Sequence, residues 1–73
     1  MTQMEKTELR ATIIRAVRTG NAELLGRAVE RLRNMGIGYQ DCYRYVASVA
    51  PIDIAEYDSL LYEADEIDAG GGR

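Results

Sequence analysis

Apolar residues recur along this chain at the three- and four-residue intervals of a helix. Leu9, Ile13, Ala16 and Val17 follow the i, i+4, i+7, i+8 spacing of one helical face. Leu25, Ala28, Val29 and Leu32 make a second face, with Leu24 and Met35 on its edges. Tyr39, Cys42, Tyr43, Val46, Val49 and Ala50 make a third, and Ile54, Tyr57, Leu60, Leu61, Ala64 and Ile67 a fourth. Nowhere do β-branched or aromatic residues alternate at period two for five positions, so no strand is expected.

Stop and start signals separate these faces. Thr2 and Glu5 have the capping-box spacing, in which hydroxyl and carboxylate each satisfy a backbone N–H of the other, so a first helix starts near Gln3. Gly20 can take a left-handed conformation at no steric cost and ends that helix, and Asn21 is a good N-cap for the next. Asn34-Met35-Gly36-Ile37 reads as a Schellman stop, with Gly36 left-handed and Ile37 folded back on the last turn. Gly38 permits a further change of direction, and Asp41 suits the positive end of a third helix. Pro51 ends that helix by pushing the residue before it out of the α region, and Asp53 with Glu56 restarts the chain.

The expected fold is therefore all-α: a compact, angled bundle of four short helices at about 3–18, 22–35, 39–50 and 54–67. One domain is expected over 1–67, with a flexible glycine-rich tail at 68–73. The helical hairpin from Asn21 to Ala50 is its scaffold, positioning the first and fourth helices. Gly26 costs its helix up to ~1 kcal/mol relative to alanine, and either close approach by another backbone or simple tolerance accounts for it.

At 47% hydrophobic and 29% charged residues, the composition suits a globular chain and excludes the low-apolar signature of disorder. Aliphatic runs of no more than two residues, as at Ile13-Ile14, exclude a span of ~20 residues, and the start MTQMEKTELR lacks the apolar core of a secretory signal. A soluble, cytoplasmic protein is the expectation. The single cysteine, Cys42, falls on a buried face and reads as a small core hydrophobe. With no histidine, the commonest general base and zinc ligand are both missing, so neither an enzyme nor a metal or other cofactor is expected.

Charge is divided unevenly. Through Gly36 the chain holds seven Lys or Arg against four acids; from Ile37 onward it holds two against eight. Solvated helix faces account for such a division, and so does attraction between the halves, within a chain or between chains.

These features point to a protein–protein interaction module: a regulator, inhibitor or adaptor, with a homodimer as one form. Met4, Ala11 and Ile14 form a second apolar stripe roughly opposite the buried face of the first helix. Tyr45 and Tyr62 fall off the apolar faces of their helices, and tyrosine gives large contact area at low entropic cost. The acidic residues of the fourth helix, Asp58 and Asp65 among them, complete the candidate partner-binding set. The alternative is nucleic-acid binding through Arg15, Arg18, Arg27 and Arg31 of the first two helices. Against it, the third helix stands where a recognition helix would, yet offers only Gln40 and Arg44 beside Asp41.

Overall fold

The computed structural model describes residues 2–71, with side-chain surroundings through 67. Four helices follow one another: α1 (Gln3–Thr19), α2 (Ala22–Asn34), α3 (Tyr39–Val49) and α4 (Ile54–Gly71). No strand occurs among the described residues. The bundle measures 35 × 25 × 22 Å, and among the described residues no helix is long and apolar enough to cross a membrane. The backbone of α4 continues past Ile67, where the apolar pattern stops; the final two residues of the expected tail, 72 and 73, lie outside the described residues.

The helix ends form as local chemistry dictates. Asn21 Oδ1 accepts the Leu24 N–H at 3.1 Å, and Asp53 Oδ1 accepts the Glu56 N–H at 2.8 Å. Gly36, at φ +88°, completes a Schellman motif: its N–H donates to the Arg33 carbonyl and that of Ile37 to Leu32. Gly20, at φ +65°, closes α1, the carbonyl of Ala16 accepting from both Gly20 and Asn21. The first cap is half of the expected box. Thr2 accepts the Glu5 N–H at 3.2 Å, but its hydroxyl then donates to the Glu5 carboxylate rather than leaving that group to bond the Thr2 backbone.

α2 is the common element, with α1 and α4 packed along two of its sides and α3 also against it. Its faces explain the arrangement: Leu25, Ala28, Val29 and Leu32 are buried together with Leu9, Ile13 and Ala16 of α1, Cys42 and Val46 of α3, and Tyr57 and Leu60 of α4. Burying apolar surface contributes ~25 cal/mol per Å², so α2, buried on more than one side, anchors the fold.

Several expected positions move. Tyr39 and Ile54, each the first residue of its helix, are 44% and 48% exposed rather than buried, because side chains lean toward the helix start and here lean beyond the packed neighbours. Ile67 is 44% exposed for the matching reason at the far end of the packed part of α4. Tyr45 is not a free surface anchor: it packs half-buried against the core, its hydroxyl sealed from water without a partner. On the helical wheel it lies one step from Cys42, close enough for a long ring to turn inward. Ala22 and Ile52 join the core without having been expected there. Ile52 gets there because the chain leaves α3 extended at Ala50, so that Ala50 and Ile52 turn inward while Pro51 and Asp53 face water. The Tyr43 hydroxyl locks that crossing by donating to the Ile52 carbonyl at 3.0 Å.

Candidate functional site: the groove between α2 and α4

Gly26 sets the spacing of the α2–α4 seam. A Cβ placed on it would lie 2.8 Å from the Cβ of Ala64, closer than two carbon atoms can sit, so the helices meet where neither has a larger side chain. Alongside this seam lies an open groove of about 980 Å³. Gly26, Val29, Leu61 and Ala64 lie at its base; Glu23, Arg27, Glu30 and Arg33 line the α2 side. The α4 side is Asp58, Tyr62 and Asp65, which share a helical face at i, i+4, i+7.

Tyr39 lines the groove and belongs to a cluster of three tyrosines. The buried ring of Tyr57 meets Tyr43 edge-on at 5.1 Å between centroids and Tyr39 at 5.9 Å, the T-shaped geometry that the aromatic quadrupole favours. The Tyr39 hydroxyl donates to Asp58 Oδ1, tying the start of α3 to the groove wall. That bond to a carboxylate, reinforced by burial and by the Asp58 charge, pushes the Tyr39 pKa up from 10.0 to about 12. Burial raises the Tyr57 pKa as well, and its hydroxyl has no hydrogen-bond partner. Cys42, buried nearby, has its thiol pKa raised by the same desolvation, which keeps it a packing group and not a nucleophile.

The groove gathers part of the sequence-derived set. Tyr62, Asp58 and Asp65 meet there, together with Arg27 from the alternative set. Tyr62 is 69% exposed, the most exposed aromatic ring of the described residues. Met4, Ala11 and Ile14 lie elsewhere, on the outer face of α1, where all three are exposed and Met4 is 77% so. The four arginines of the alternative set are all exposed, two on α1 and two on α2. Arg27 is held by Glu23 at 2.5 Å and faces the groove acids, Arg15 and Arg18 lie on α1, and Arg31 is exposed on α2. Arg15 and Arg27 approach only across a shallow depression of about 370 Å³ at the α1–α2 corner, which Glu23 shares.

Arg33, Glu30 and Tyr39 belong to the groove and were not singled out from the sequence. The signals that could have found it were the mid-helix glycine and the Asp58–Tyr62–Asp65 stripe, read together. Among the described residues no group of three or more acidic or cysteine side chains converges as a metal site would require. No family model, curated protein or solved structure matches the chain, so the reading of the groove rests on its own geometry.

Proposed function

We propose that this chain is a small non-enzymatic protein–protein interaction module, a cytoplasmic regulator, inhibitor or adaptor whose docking surface is the α2–α4 groove. One observation carries this reading: Tyr62 stands exposed between Asp58 and Asp65 on the wall of a groove with an apolar base. An aromatic anchor ringed by polar groups is the arrangement that concentrates binding energy at protein interfaces. An open groove of this kind also leaves its carboxylates in water, where general acid–base work gains little from them.

The test replaces Tyr62 with Asp. The exposed site should leave helicity by circular dichroism unchanged, while recovery of bound polypeptide from native lysate on the immobilised chain falls by ~10-fold or more, as for loss of a central anchor. Undiminished recovery would show that the groove is not the docking surface. Submicromolar affinity for mixed duplex DNA at moderate salt, lost on replacing Arg15 or Arg18, would give the function to the arginines instead.

A further inference from the structure

The outer face of α1 and the wall of the groove carry the same pattern with opposite charge. On α1, Arg10, Ile14 and Arg18 lie at i, i+4, i+8, all exposed: base, aliphatic, base. On α4, Asp58, Tyr62 and Asp65 lie at i, i+4, i+7: acid, aromatic, acid. At 1.5 Å per residue the flanking charges are ~12 Å apart on α1 and ~10.5 Å apart on α4, close enough for both pairs to meet when the apolar centres touch. Within the chain Asp58 accepts the Tyr39 hydroxyl, and neither stripe forms an ion pair. The ion pairs among the described residues are Arg27–Glu23 and Arg44–Asp41, both local to one helix. α1 and α4 each pack on α2 rather than on each other.

We infer that the occupant of the groove is a second copy of this chain, which lays the Arg10–Ile14–Arg18 face of its α1 against the Asp58–Tyr62–Asp65 wall. This inference rests on the groove being the docking surface and names what docks there. The contact joins two different patches, so it is head-to-tail: each bound copy still offers a free α1 and a free groove, and assembly continues beyond a pair. The uneven charge of the two halves of the sequence then has a use, since it sets the direction in which copies meet.

The experiment follows mass by sedimentation velocity over a range of protein and salt concentrations. The unaltered chain should exceed the mass of a dimer as concentration rises, and added salt should weaken the association by screening the flanking pairs. Ile14→Asp removes only the α1 patch and Tyr62→Asp only the groove patch, so each alone should sediment as a monomer. Mixed in equal amounts, the two should form a 1:1 dimer and nothing larger, because one intact α1 then meets one intact groove. A monomer at every concentration, self-association by either variant, or a mixture that stays monomeric would each overturn the inference. If the chain is monomeric yet recovers a polypeptide through Tyr62, the second copy is excluded and the docking groove stands; if recovery ignores Tyr62, both fail.

Discussion

On one side of α2 lies α1, joined to it by a tight corner at Gly20 and Asn21 and sharing its core through Leu9, Ile13 and Ala16, each at most 1% exposed. On the other lies α4, distant in sequence, meeting α2 at Gly26 and Ala64 with polar side chains along the open margin. The α1 side is filled by large aliphatic groups and has little space left over. The α4 side buries Tyr57 and Leu60 in the same core, and its backbone comes close where Gly26 has no side chain. A seam spaced by a glycine brings helices close without filling the space beside the contact, and that unfilled space is the groove. Both sides of α2 thus share one core, and the larger open groove lies beside the α4 seam.

Four measurements sharpen or break this contrast. The largest effect belongs to the filled side. Ile13→Ala removes a side chain with no exposure and should destabilise the chain by about 2–5 kcal/mol in urea unfolding, a large share of what a domain of this size has. A cost below about 1 kcal/mol would show that the α1 side is loosely packed and remove the distinction.

Gly26→Ala probes the other seam. In a solvent-facing helix this change would gain up to about 1 kcal/mol. Here the new methyl meets the Ala64 Cβ, which is fixed to its backbone and cannot swing aside, so overpacking of about 1–3 kcal/mol should outweigh the gain. Net destabilisation in urea, with most of the packing cost relieved by adding Ala64→Gly, is the expected outcome. A net gain would mean that α4 can move away freely.

Tyr57→Phe should act in the opposite direction. Its hydroxyl is buried with no partner, and removing such a group relieves a desolvation cost of about 1 kcal/mol while leaving both edge-on ring contacts in place. A rise in the urea midpoint is expected; a fall would reveal a partner for that hydroxyl in solution.

The smallest effect is confined to alkaline pH. Because the Tyr39 hydroxyl is held protonated to about pH 12 when folded and ionises near 10 when unfolded, its contribution is fully present below pH 10 and lost as pH rises toward 12. Tyr39→Phe should therefore flatten the fall in stability between those values, with buried Tyr57 accounting for the decline that remains. Thermal midpoints at a series of pH values check this; an unchanged slope would mean that the Tyr39–Asp58 tie does not persist in solution.

Much of the local design was legible in the residues. Helix starts at Gln3, Ala22, Tyr39 and Ile54 follow from Thr2, Asn21, the Gly36–Gly38 turn and Asp53, since capping bonds reach only a few residues. The interior positions of each apolar face were legible for the same reason: a 3.6-residue repeat fixes which side chains share a side. At the helix ends this logic failed, and Tyr39, Ile54 and Ile67 stand half in water, because burial there depends on whether a neighbouring helix extends far enough to cover them. Tyr45 failed in the opposite sense, its ring long enough to reach the core from beside the apolar face.

Sequence alone thus determined the all-α class, the helix ends and the stripe of Asp58, Tyr62 and Asp65, all of which depend on chemistry within a turn or two of the chain. Only the tertiary structure decided that Gly26 would meet Ala64, that Arg27 and Arg33 would come to face that stripe, and that the basic stripe of α1 would be left outward and unpaired. Those outcomes depend on the angle and separation at which helices remote in sequence pack. That geometry is set by the summed fit of all the core side chains, and no short stretch of the chain contains it.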